Sequence, residues 1–370
     1  MKYLDEFYNK EISRTLSNEI SKMAIRKALT FMEVCGTHTM SIARNGIKNL
    51  LPENIKLLSG PGCPVCVTPN HQIDQAIGYA RQSGVCVATF GDMMKVPGSS
   101  SSLEKERGKG FDVRIVYSAI DALEIAEKNP NKIVVFMGIG FETTAPTVAA
   151  SLEDAKKRGV KNYFVLSAHK LIPPAIRAIL ESGEVKVDGF LLPGHVSTII
   201  GRRVYDFIAK EYGIPCAVAG FEPLDILQAI LCLVKQINSG IPDVENCYKR
   251  SVKEEGNLVA KSLIEEVFEV CDSEWRGLGV IPKSGLKIRE EYQEFDAEQN
   301  ISAEITRNSQ LRGEPLSTYN SQCLCGEILR GIKVPRDCRL FGKQCTPESP
   351  VGPCMVSSEG TCAAYYKYGS

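Results

Sequence analysis

The chain shows no excess of charge of either sign: Lys and Arg total 44, and Asp and Glu total 44. That balance removes the basic field by which proteins hold nucleic-acid backbones, so nucleic acid is a poor candidate partner. No run approaches the roughly 18 uncharged apolar residues that a membrane helix requires. The opening Met1-Lys-Tyr-Leu-Asp-Glu-Phe7 also lacks the basic-then-apolar layout of a secretory signal. The chain is therefore expected in the cytosol. Cysteine, by contrast, is plentiful, with 14 among 370 residues. In a reducing compartment, spaced cysteines signal metal binding or redox chemistry more often than structural disulfides.

A hydrophobic fraction of 44% is enough for two or three packed cores. Between residues 27 and 240, short β-branched runs alternate with stretches of three-and-four spacing. The expected strands are Ala28–Val34, Ile55–Ser59, Val85–Phe90, Val113–Tyr117, Ile133–Ile139, Tyr163–Ser167, Gly189–Leu192 and Ala217–Ala219. Most are continuously apolar, as parallel strands covered on both faces must be. Gln72–Gln82, Ile120–Lys128, Pro146–Arg158 and Thr198–Tyr212 carry helical periodicity. The pattern predicts doubly wound α/β architecture. The polar segment Pro97–Gly110 suggests a division into two parallel-sheet domains, 27–118 and 119–240, although it would equally suit a surface loop inside one domain. The remainder, 1–26 and 241–370, reads as a charged helix over Val244–Cys271, an irregular segment around Trp275, and a Gly-, Pro- and Cys-rich tail from Leu311 that bound metal would order.

Nearly every unusual motif follows an expected strand: Cys35-Gly-Thr-His38, Gly60-Pro-Gly-Cys63-Pro-Val-Cys66, Gly91–Lys95, Gly138–Thr144, Ala168–Lys170, Pro193-Gly-His195 and Gly220–Pro223. In parallel sheets these positions share the carboxyl edge, where ligand sites form. Cys35 precedes a helix whose amides and dipole can favour a thiolate, making it a candidate metal ligand or nucleophile beside His38, unless it packs as a small hydrophobe. Cys63 and Cys66 can form a disulfide or ligate one metal, and with Cys35 and His38 they could complete a tetrahedral zinc site. Glu142 and His195 are candidates for proton handling in the cleft, or for ordinary caps and loop hydrogen bonds. Gly138-Ile-Gly140 lacks the third glycine of a dinucleotide fingerprint, because Thr143 takes its place.

The tail contains Cys323, Cys338, Cys345 and Cys362 in the order C-x14-C-x6-C-x16-C. Long spacers without C-x2-C knuckles favour an iron–sulfur cluster over zinc. Cys325 and Cys354 remain as a spare pair able to exchange electrons as a disulfide, and spacing alone does not choose between Cys323 and Cys325 as ligand. Glu359, just before Cys362, could carry protons near the thiols. Cys86, Cys216, Cys232, Cys247 and Cys271 read as packing residues.

Taken together, Cys35-Gly-Thr-His-Thr-Met40, Gly60–Cys66, Gly140-Phe-Glu-Thr-Thr-Ala-Pro146, Pro193-Gly-His-Val196 and the cysteine tail closely resemble the HypD family of [NiFe]-hydrogenase maturation proteins, over nearly the whole chain. The resemblance implies two α/β domains plus a cluster domain. It also implies a metal-centre assembly scaffold with redox activity, on which the Fe(CN)2CO unit is built in complex with the chaperone HypC, with cyanide ligands arriving from HypE. By that resemblance Cys35 ligates the iron with His38 close by, Cys63 and Cys66 are the redox-active dithiol, and Cys323, Cys338, Cys345 and Cys362 hold a [4Fe–4S] cluster. A cluster-dependent thiol–disulfide oxidoreductase is the enzymatic alternative, and a zinc-stabilised interaction protein the third.

Overall fold

The computed structural model describes residues 8–24, 27–301 and 322–369. Within the expected tail, residues 311–321 lie outside the described residues, as do 1–7 and 25–26 of the N-terminal segment. Eleven strands are described: β1 Leu29–Glu33, β2 Ile55–Ser59, β3 Val85–Thr89, β4 Val113–Ile115, β5 Ile133–Gly140, β6 Tyr163–His169, β7 Gly189–Pro193, β8 Cys216–Ala219, β9 Val244–Asn246, β10 Phe268–Trp275 and β11 Gly279–Ile288. They form two parallel sheets, β2-β1-β7-β8-β9 and β4-β3-β5-β6, and one antiparallel hairpin, β10-β11. The fold is therefore α/β with doubly wound parallel sheets, as the apolar runs predicted.

Strand pairing cuts across residue 118. β1 and β2 lie with β7, β8 and β9, tied by the register Phe31↔Gly189 to Glu33↔Leu191. Pro97–Gly110 sits between β3 and β4, two neighbours of the second sheet, and folds as a capped helix, Leu103–Gly108. The segment is tied to the helix before β3: buried Glu106 accepts both Arg81 Nε and Arg81 Nη2 at 2.9 Å. A segment so anchored is a crossover and not a free linker.

Three other expectations need correction. Val244–Cys271 is helical only over Leu258–Val267, and the stretch around Trp275 is a regular hairpin. Val270, Asp272 and Glu274 face outward and alternate with inward residues, the period of two that marks a strand. Thr198–Tyr212 is likewise not one helix, because the helix Gly194–Ile200 stops at Gly201 and another begins at Asp206. Gly201 has φ 86°, and a Cβ there would lie 2.3 Å from the Glu254 carbonyl, so the close approach of two backbones breaks the helix.

One apolar core runs from Met32 and Leu58 through Cys66, Met137 and Trp275 to Cys325, Cys345 and Met355. The cysteine tail is thus packed into the α/β body. Its last helix, Thr361–Tyr368, packs on the helix Gly36–Arg44 that follows β1, and Lys48 Nζ donates to Tyr365 Oη at 2.7 Å. Among the described residues, no helix is long and apolar enough to cross a membrane.

Candidate functional site: a buried line of thiols

β1 ends at Glu33, and Cys35 stands at the N-cap of the helix Gly36–Arg44. The Cys35 amide donates to Glu33 Oε2 at 3.1 Å, and Thr39 Oγ1 donates to the other oxygen of the same carboxylate. Burial, reinforced by the Glu359 carboxylate, pushes the Cys35 thiol up to about 12, while the amides of His38 and Thr37 pull the other way. The helix N-terminus is where the sequence put it, but desolvation outweighs its field, and the metal-free Cys35 is a thiol. Glu33 itself is pushed up to about 8 by burial. Sequence reasoning missed Glu33 because a carboxylate at the end of a strand has no motif.

The loop after β2 lies directly against Cys35. Gly60 N–H donates to the Glu33 carbonyl at 2.7 Å, and Gly36 N–H donates to the Gly62 carbonyl at 2.8 Å. Proline at the first position of the helix Pro64–Val67 sets Cys63 at its N-cap, where Cys63 Sγ accepts the Cys66 amide at 3.3 Å. Cys63 and Cys66 are joined as a disulfide with Cα atoms 5.3 Å apart, and they are 3% and 0% exposed. In this oxidised form the two sulfurs are bonded to each other, so a tetrahedral set with Cys35 and His38 would require the disulfide to open first.

His38 is fully buried; Nε2 lies 2.9 Å from the Gly220 carbonyl and Nδ1 has no partner. Burial holds this imidazole down to about 4, so it is neutral near pH 7. Phe221 stacks with both His38, at 4.8 Å between centroids, and His195, at 3.8 Å. His195 thus joins an aromatic group, and Phe221 was visible in sequence only as the middle of Gly220-Phe-Glu222.

Glu142 follows β5, at the edge of the other sheet. Its Oε1 accepts the Ile172 amide at 3.0 Å, Oε2 is unpartnered, and burial pushes the carboxyl up to about 7. Tyr205 is fully buried, and its hydroxyl is pushed up by burial, with Glu142 and Cys35 both acting on it. Tyr205 was hidden inside the stretch read as one helix. On the tail side, Glu359 Oε1 accepts Thr37 Oγ1 at 2.7 Å, and burial raises the Glu359 carboxyl. Ser357 Oγ donates to Asp92 Oδ2 at 2.9 Å, fastening the tail to the loop after β3.

All six tail cysteines, Cys323, Cys325, Cys338, Cys345, Cys354 and Cys362, line one small cavity whose other walls include Ile328, Phe341 and Met355. The sulfurs of Cys325 and Cys354 lie 2.6 Å apart. Cys345 Sγ accepts the Val351 amide at 3.3 Å. The positive charge of buried Arg276 acts on the Cys325 thiol, while Arg276 Nε donates to the Thr68 carbonyl at 2.7 Å. Thiols in an apolar chamber with amide donors and a nearby cation suit an iron–sulfur cluster, whose sulfur ligands take hydrogen bonds. The chamber adjoins the dithiol, since Cys66 Sγ lies 3.9 Å from the carbonyl of Pro353, the neighbour of Cys354.

The profile of the HypD family, described as the Hydrogenase formation hypA family, matches residues 11–369. The chain is 50% identical to hydrogenase maturation factor HypD2 of Bradyrhizobium diazoefficiens, across 100% of this chain and 97% of the relative. It is 49% identical to hydrogenase maturation factor HypD of Cupriavidus necator and 48% identical to that of Azotobacter vinelandii, with the same coverage. A family match over almost the whole length, and half-identical relatives, establish that this chain belongs to the HypD family, several of whose members carry the name hydrogenase maturation factor.

Proposed function

We propose that the chain is a redox-active scaffold on which the Fe(CN)2CO unit of [NiFe]-hydrogenase is assembled, in complex with a HypC-type chaperone and with cyanide ligands received from a HypE-type partner. The observation that carries the reading is contiguity. Cys354 in the six-cysteine chamber follows Pro353, whose carbonyl touches Cys66 Sγ, and the Gly62 carbonyl beside Cys63 accepts the amide of Gly36, next to Cys35. Chamber, dithiol and Cys35 form one buried line.

A [4Fe–4S] cluster held by Cys323, Cys338, Cys345 and Cys362 would supply electrons one at a time. Cys325 and Cys354, whose sulfurs lie 2.6 Å apart, would remain as a further thiol pair beside the cluster. Opening the Cys63–Cys66 disulfide consumes two electrons and two protons and leaves two thiols. Those thiols can pass the electrons to chemistry at an iron cargo held beside them. Cys35 gives up its proton to ligate that cargo, a soft sulfur donor suited to low-spin iron. His38, neutral and buried, lines the same edge without adding charge. Glu142, pushed up to about 7 by burial, can hold a proton within the cleft near neutral pH, and burial raises the Glu359 carboxyl in the same direction.

The alternative of a thiol–disulfide oxidoreductase acting on protein partners fits less well. A partner's disulfide must be reached by an exposed sulfur, and Cys63 and Cys66 are 3% and 0% exposed. The test is an anaerobic infrared spectrum of the protein isolated with its chaperone partner. Cyanide and carbonyl stretches should be present in the native complex and vanish in Cys35→Ala. A native complex that is active in hydrogenase maturation yet has no such bands would overturn the scaffold.

A further inference from the structure

Away from the line of thiols described above, two cysteines that read as packing residues come together. Cys232 lies on the helix Pro223–Ser239, and Cys247 follows β9 directly. Their sulfurs are 3.2 Å apart, and a carboxylate oxygen of Glu245 joins them so that all three ligand atoms lie within 4.8 Å of one another. The group opens into a pocket of about 330 Å³ that is also lined by Gln228, Asn246, Lys249 and Arg250, the last of which is paired with Asp225 and Glu222. We propose that Cys232, Cys247 and Glu245 form a binding site for one thiophilic divalent cation of the Zn2+ class, with a fourth coordination position open to the pocket.

The donor set is chemically specific. Two thiolates and a carboxylate carry three negative charges, enough to bind a divalent ion from a solvent-facing position, and thiolates select zinc over magnesium or calcium. Distances separate a metal site from a disulfide. A bonded pair requires about 2.05 Å between sulfurs, whereas two thiolates across a tetrahedral zinc stand about 3.8 Å apart. The observed 3.2 Å is nearer the second value, and a disulfide would leave Glu245 with no role. Gln228 Nε2 donates to Cys232 Sγ at 3.8 Å, the kind of outer contact that orients a ligand.

Exposure is graded as a loading site needs: Cys232 is buried, Cys247 is intermediate and Glu245 is exposed. A bound ion would tie the helix to the end of β9. The next residue, Tyr248, packs edge-on against Phe221 at 6.0 Å, and Phe221 stacks on His38. The cation would thus brace the aromatic group that lies beside the Cys35 helix.

The test uses the full chain, purified and reconstituted anaerobically, stripped of loosely held metal and titrated with Zn2+ against a chromophoric chelator. The native protein should bind one more equivalent of Zn2+ than the double variant Cys232→Ser, Cys247→Ser. Glu245→Gln, an exposed change that leaves the fold alone, should weaken that equivalent by more than about tenfold. Equal zinc content in native and double variant, or unchanged affinity in Glu245→Gln, would overturn the site. So would a peptide map of the anaerobic protein in which Cys232 and Cys247 are found disulfide-bonded.

Discussion

Gly62→Ala tests how tightly the dithiol loop must lie on Cys35. A Cβ at Gly62 would fall 2.2 Å from Cys35 N, 2.4 Å from Cys35 Cα and 2.4 Å from the Val34 carbonyl carbon, all backbone atoms that cannot rotate away. Gly62 does not adopt a positive φ, so alanine meets no conformational obstacle, and the effect isolates contact. Relief to ordinary contact requires the two segments to part by more than about 1 Å. Such a shift breaks the 2.8 Å bond from Gly36 N–H to the Gly62 carbonyl. Overpacking costs about 1–3 kcal/mol and the lost hydrogen bond about 1 kcal/mol, so a loss of about 2–4 kcal/mol is expected in urea unfolding. Iron retained at Cys35 should fall as well, since the same shift moves Cys35 away from the dithiol. Gly108→Ala is the control, because nothing lies within 4 Å of its added methyl, and stability should be unchanged or slightly raised. A Gly62→Ala protein within about 0.5 kcal/mol of native stability and with native iron content would refute the argument.

Other consequences follow from the buried groups. The folded state raises Glu142 from 4.5 to about 7, so this residue adds stability that is fully present below about pH 4.5 and is lost as pH rises through 7. Glu142→Gln should therefore flatten the stability–pH curve between about pH 5 and 7 by about 3 kcal/mol, measured by urea unfolding at several pH values; parallel curves for native and variant would contradict it. In the chamber, Cys325→Ser should keep the iron–sulfur absorbance of reconstituted protein, whereas Cys338→Ser should lose it. The reverse result would exchange the roles of the two cysteines.

Strand positions were legible because parallel strands covered on both faces are continuously apolar: β2 falls on the expected residues, and the other seven expected strands lie within two residues of their ends. Sheet membership was not legible. The pairing of β1 with β7 depends on packing between segments far apart in the chain, which no local pattern encodes. β10 was concealed by Glu269, Asp272 and Glu274, whose charges resemble a solvated helix until the alternation is seen in place. In the site, the cysteines were legible by chemistry and spacing, whereas Glu33, Tyr205 and Phe221 acquire their roles only from position. The proton affinity of Cys35 also escaped prediction, since a helix terminus and burial act in opposite directions and only the fold decides which wins. Cys232 and Cys247 gave no signal in sequence because one sits on a helix and the other at a strand end.

The central claim is that electrons pass from the six-cysteine chamber to the Cys63–Cys66 disulfide. The direct measurement is to reduce the anaerobically reconstituted chain photochemically, alkylate it at once, and identify newly freed thiols by mass spectrometry of peptides. Cys63 and Cys66 should be labelled in the native protein and stay unlabelled in Cys338→Ser under the same illumination. A native protein whose iron–sulfur absorbance bleaches while Cys63 and Cys66 remain joined would contradict it.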